Sequence, residues 1–148
     1  MEKGRPRNIE NPEAMWEYFQ QYRQSVKATP FLVKDWVGAM AMEVAREKEK
    51  PLTLEGFAVY CWEQGISKNI HDYFGNKNNA YTDFSDICRA IKEIIRADQI
   101  AGGMAGIYNP SITQRLNGLV EKSAAEDKSE VTIKVKYETK KENDLEKD

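Results

Sequence analysis

Of the 148 residues, only one is histidine (His71) and two are cysteine (Cys61 and Cys88). That scarcity excludes a zinc cluster of His and Cys ligands and a disulfide scaffold. An excess of charge of one sign is also missing. The 22 basic residues face 24 acidic ones, a net charge of -2, so a polybasic coat for nucleic acid is excluded. No apolar run approaches the roughly 20 residues of a membrane span. The polar start, with Lys3, Gly4, Arg5 and Pro6, does not read as a secretory leader. The expectation is an intracellular protein with reduced thiols and no membrane partner. What remains is 41% hydrophobic and 31% charged residues, enough for one domain with a modest core.

Residues 1–10 read as a flexible arm carrying Lys3, Arg5 and Arg7. Asn11, Pro12 and Glu13 then give a helix start: a capping side chain, proline at the first helical position and an acid in the first turn. Met15, Tyr18, Phe19, Tyr22 and Val26 follow at three-to-four spacing, and Thr29-Pro30 closes the helix. The stretch 31–46 has two readings. Residues 31–37 have strand composition and Gly38 can turn the chain, whereas residues 39–48 are good helix formers; a hairpin is favoured. Thr53 can cap a helix with Leu54, Phe57, Ala58, Cys61 and Trp62 on one face, and Gly65 stands at its end. Ser67 can cap a short helix that turns Ile70, Tyr73 and Phe74 inward and stops at Gly75. Together these have the shape of a helix-turn-helix over about 53–75.

A polar loop at 76–79 precedes long helices over about 83–120. The first carries Phe84, Ile87, Cys88, Ile91, Ile94, Ile95 and Ala101, and the second, opened by Asn109-Pro110, carries Ile112, Leu116 and Leu119. Residues 121–130 form a charged spacer. Val131, Ile133, Val135 and Tyr137 then alternate with Thr132, Lys134 and Lys136, a period of two that reads as a strand. Residues 138–148, with five acids and three lysines, are expected to be disordered. The fold class expected is mainly α: a helical body at 11–120 with a hairpin insertion, and a spacer and strand at 121–137.

Four features bear on function. Enzyme chemistry has no signature. His71 reads as an ordinary helix histidine, and Asp83 and Asp86 as partners of a helix N-terminus. The glycines at 102–106 lack the lysine and the preceding strand of a phosphate loop. No catalytic, cofactor or metal-binding residue emerges. Second, Ala97, Ala101 and Ala105, and likewise Gly102 and Gly106, recur every four residues. Either small residues allow close helix packing and oligomerisation, or the glycines break the helix. Third, the helix-turn-helix offers Lys68, Asn69, His71, Asn76, Lys77 and Asn78 to bases and phosphates. Residues 52–82 are nonetheless net acidic, with Glu55, Glu63 and Asp72 against Lys68 and Lys77. Affinity per copy would be weak, and a helical hairpin with no DNA role stands beside this reading. Fourth, a lone strand leaves both edges open. It pairs either with the hairpin of its own chain or with the same strand of neighbouring copies, as an intersubunit barrel.

The order of these motifs resembles the small terminase subunit, the DNA-packaging protein of tailed double-stranded DNA phages. The resemblance runs from about residue 10 to 120. It is carried by the opening helix from Asn11 through Trp16, Tyr18 and Phe19, and by the Pro51–Phe57 helix entry. The long helix from Asp86 to Ile95, the small residues at 101–106, and Asn109, Ile112, Arg115, Asn117 and Leu119 complete it. It implies a ring of about eight to ten copies, located in the host cytoplasm and without catalytic activity. Such a ring binds viral DNA and recruits and regulates a large subunit holding the ATPase and nuclease. Some relatives contact DNA through a basic tail. Here the tail sums to -2, so the expectation shifts DNA contact to the helix-turn-helix or the arm, and gives the tail to the large subunit. A dimeric transcriptional regulator, reading half-sites about 34 Å apart, is the alternative.

Overall fold

The computed structural model describes residues 7–119. The expected C-terminal strand, spacer and tail, and Lys3 and Arg5 of the arm, lie outside these residues.

The first helix, α1, spans Pro12–Ala28, and Asn11 caps it by accepting a hydrogen bond from the Ala14 N–H at 2.8 Å. Proline occupies the first turn, where its missing N–H costs nothing. Met15, Phe19 and Tyr22 are buried along one face, with Tyr18 and Val26 packed at its margin. The chain then leaves the body as a hairpin of β1 (Phe31–Val37) and β2 (Met42–Lys48), antiparallel in a register that runs from Phe31↔Lys48 to Val37↔Met42. Gly38 turns the chain at φ +78°. The helix formers of residues 39–48 yield to strand pairing, which adds two cross-strand ion pairs, Lys34–Glu43 and Arg46–Asp35.

Helix α2 (Leu54–Glu63) is capped by Thr53, whose hydroxyl accepts from Gly56 N–H at 2.9 Å. It ends with Ile66 N–H on Cys61 C=O and Gly65 N–H on Trp62 C=O. That paired closure needs a left-handed residue, and Gly65 sits at φ +68°. Helix α3 (Ile70–Phe74) is only one turn long. Short 3-10 turns at Lys77–Asn79 and Thr82–Phe84 lead into α4 (Ser85–Met104), and α5 (Pro110–Leu116) folds back on its end.

The core lies where α1, α2, α3 and α4 meet. Phe19, Phe57, Phe84 and Ile91 are fully buried, and Phe19 meets Phe57 edge-on at 5.4 Å between ring centroids. Each such aromatic removed from water stabilises the fold by about 1.5–3 kcal/mol. Residues 7–10, expected to belong to the flexible arm, join this body instead. Ile9 is 1% exposed, and its N–H donates to the Tyr73 hydroxyl at 3.0 Å.

Two other expectations are corrected. Trp62 is 59% exposed. It comes five residues after the buried Phe57, so the helix has turned roughly 140° away from the core face. On α5, Ile112 and Leu116 are 57% and 68% exposed, while Thr113 is the buried residue. The helix packs through its threonine because α4 presents glycine there. A Cβ on Gly103 would lie 2.8 Å from the Thr113 methyl, and one on Gly102 2.1 Å from the Tyr108 ring. The two glycines stay inside α4 and permit this approach; the chain turns only at Gly106, at φ +71°.

A polar hub fixes the hairpin's root to the body. Lys27 Nζ donates to Asp98 Oδ1 at 2.6 Å, to Tyr108 Oη at 2.8 Å and to the Lys50 carbonyl at 3.0 Å, and it pairs with Glu49 at 2.8 Å. The second oxygen of Asp98 accepts from Leu52 N–H at 2.8 Å. Partial burial works to lower the Lys27 pKa, but the hydrogen bonds to Asp98, Glu49 and Tyr108 outweigh it and hold the ammonium above the usual lysine range. Among the described residues no helix is long and apolar enough to cross a membrane.

Candidate nucleic-acid interface

An open cleft of about 820 Å³ lies between the end of α2, the start of α3 and the loop at 76–81. Its lining gathers residues that are distant in sequence: Arg7, Trp62, Lys68, Asn69, Lys77, Asn78 and Tyr81. Three local features build it. The tight close of α2 at Gly65 turns the chain sharply, so that Lys68 Nζ comes to 5.5 Å from the exposed Trp62 ring. Ser67 is buried, and its hydroxyl accepts from Asn69 N–H at 3.2 Å. That bond holds Asn69 at the mouth of α3. Asn76, Asn78 and Asn79 all take positive φ, a conformation that asparagine tolerates better than other non-glycine residues. They fold the far wall into a compact turn.

The expected contact residues therefore fall into two groups. Lys68, Asn69, Lys77 and Asn78 are exposed and share the cleft. Lys77 is only loosely held, exposed and 3.7 Å from the half-buried Asp72, an ion pair of about 0–1 kcal/mol. A phosphate can compete for such a lysine. His71 is exposed on α3 but lies outside the cleft lining.

Asn76 and Arg7 are committed elsewhere. The Asn76 amide accepts from Tyr81 N–H at 2.8 Å and donates to Thr82 Oγ1 at 3.1 Å, so it clips its own loop. Arg7 pairs with Asp83 at 2.7 Å, donates to the Ala80 carbonyl, and lies over the rings of Tyr81 and Phe84. The two aspartates near the start of α4 likewise have structural partners: Asp83 holds Arg7, and Asp86 accepts from Arg89 at 3.0 Å.

Trp62 is the cleft residue that periodicity assigned to the core. Its position past the Phe57–Cys61 stripe was the available signal. An exposed indole beside lysine and amide groups suits a polyanionic, base-bearing ligand: lysines take phosphate, amides take phosphate or base edges, and the indole N–H can donate to phosphate.

The small-residue series divides in the same way. Ala97, Ala101 and Ala105 are exposed, in one row four residues apart along α4 and its end. Gly102 is buried against Tyr108 of its own chain, and Gly106 is the turn after α4. Val131, Ile133, Val135 and Tyr137, the other oligomerisation candidates, lie outside the described residues. Burial raises the thiol pKa of Cys61 to about 12 and that of Cys88 to about 11, so neither is poised as a nucleophile.

A family model described as DNA-packaging protein gp3 matches residues 4–131. No curated protein matches the chain.

Proposed function

The chain belongs to the DNA-packaging protein gp3 family, and from that premise we propose that it is the small terminase subunit of a phage genome-packaging motor. Membership itself supports a role in phage DNA packaging. The finer reading is a non-catalytic ring that binds double-stranded viral DNA in the host cytoplasm and recruits and regulates a large ATPase and nuclease subunit.

The observation that carries DNA contact is the gathering of Lys68, Lys77, Asn69, Asn78 and Trp62 around one open cleft. Two lysines per copy supply little electrostatic affinity. Repetition around a ring of about eight to ten copies multiplies it, which is why ring and DNA contact belong to one proposal. Ring closure has two further supports: the exposed alanine row Ala97, Ala101 and Ala105 on α4, and the alternating pattern of 131–137, which suits a barrel of identical strands. In this reading the body at 11–120 contacts DNA and shares in closure, the spacer and expected strand at 121–137 complete closure, and the tail at 138–148 contacts the large subunit.

Duplex binding measured by fluorescence anisotropy across a salt series tests the cleft. Lys68→Ala combined with Lys77→Ala should weaken binding at every salt concentration. The log–log salt slope should fall by about one for each lysine lost per engaged copy. An unchanged slope in the double variant would remove the cleft from the interface and return the contact to Lys3 and Arg5.

A further inference from the structure

The hairpin is a surface in search of a partner. Phe31, Leu32, Trp36, Met40 and Met42 are each more than half exposed, although a two-stranded hairpin is marginal on its own and normally packs against something. DNA is a poor fit. Residues 31–48 carry three basic and three acidic side chains, Lys34, Arg46 and Lys48 against Asp35, Glu43 and Glu47, and two of the cations are already paired across the strands. A neutral, aromatic ribbon fits protein.

A complementary surface exists on the same chain. Along α5 runs a mostly apolar groove of about 320 Å³ lined by Phe31, Ile107, Ile112 and Leu116. Of the chain's own hairpin only the root, Phe31 and Lys48, lines this groove, while Trp36 and Met42 stand up to about 20 Å further along the ladder. The two surfaces carry charges of opposite sign. Glu47 and Arg115, on the hairpin and on α5, have no ion-pair partner among the described residues.

We infer that the outer hairpin of one copy, led by Trp36, docks into the α5 groove of a neighbouring copy. The two patches differ, so the contact is head-to-tail, the kind that propagates and closes a ring when the rotation permits. This inference rests on the ring reading above and assigns it an interface made of named residues.

Mixing distinguishes this contact from every symmetric alternative. Trp36→Glu spoils the hairpin and leaves the groove; Leu116→Glu spoils the groove and leaves the hairpin. In the full chain, followed by sedimentation velocity, each variant should raise the half-assembly concentration at least tenfold, with helical circular dichroism unchanged. An equimolar mixture of the two should give a dimer that grows no further, because one sound hairpin meets one sound groove. Wild-type assembly in both variants would overturn this interface while leaving the ring intact. Two disrupted variants that do not pair on mixing would overturn the head-to-tail contact, leaving the groove to the chain's own continuation beyond Leu119 or the hairpin to another hairpin. A monomeric wild type would overturn the ring and this inference together.

Discussion

Tyr108 shows how much one side chain can join. Its ring lies against the bare backbone of Gly102, and its hydroxyl accepts from Lys27 and donates to Asp98. Gly102→Ala would set a Cβ 2.1 Å from that ring, so the ring must move and the hydroxyl must leave the hub. Overpacking of this kind costs about 1–3 kcal/mol, offset in part by alanine's better helix propensity. A net loss of about 1–2 kcal/mol is expected in urea unfolding. The coupling is the sharper test. If the damage passes through Tyr108, Gly102→Ala and Tyr108→Phe should be less than additive in a double-mutant cycle. Full additivity would mean that the glycine and the hub act separately. Glu93→Gln, on the exposed side of α4, should be nearly neutral in the same assay.

Legibility differs from element to element, for physical reasons. Helix α1 was readable because its cap, proline and apolar stripe all act within a few residues of one another. The hairpin was readable from strand composition and Gly38, although its second strand consists of helix formers; cross-strand pairing with β1 is what overrides them. Helix α5 misled because its periodic apolar residues face out. The inward face is chosen by Gly103 on another helix, a tertiary fact with no local signature. The cleft was half legible: Lys68, Asn69, Lys77 and Asn78 were singled out by type, whereas Trp62 joined them only through the turn of α2. The Lys27 hub was missed altogether, since its members are spread from residue 27 to residue 108. Lys27→Met tests what that hub does at the scale of an element. Losing hydrogen bonds to a charged donor typically costs about 1.5–3 kcal/mol; with Lys27 partly open to water, about 1–2 kcal/mol is expected. The loss should be local as well as global. Amide hydrogen exchange should quicken first at Leu52, whose N–H is held by Asp98, and at the root of the hairpin, while the Phe19–Phe57 centre stays protected.

At the scale of the whole molecule, the groups with shifted pKa values all pull in one direction. Burial raises Cys61 to about 12 and Cys88 to about 11 from an ordinary value of 9.0, and burial also raises Tyr73 and Tyr108. Lys27 is raised by its partners. In every case the folded chain holds its proton to a higher pH than the unfolded chain does. Above the unfolded thiol value, then, the unfolded state has released protons that the folded state keeps. Stability must fall as pH rises, because the slope follows the difference in bound protons. The contribution is complete below about pH 8.5 and erodes through the window from about 9 to 11, by at most about 1.4 kcal/mol per pH unit for each thiol; the tyrosines add to the slope from about pH 10 and Lys27 above about 10.4. Urea midpoints should therefore be level from pH 7 to 8.5 and drop by the equivalent of about 2 kcal/mol at pH 10. The same protection should leave both thiols unreactive toward a small disulfide reagent at pH 8 until urea unfolds the core. Cys88→Ala should lower the midpoint at pH 7 by opening a small cavity and should also flatten the alkaline slope, two effects that a purely packing role for the sulfur would not combine. A midpoint that holds steady to pH 10.5 would show that the thiols ionise as readily in the folded chain as in the open one, and that the core admits water to Cys61 and Cys88.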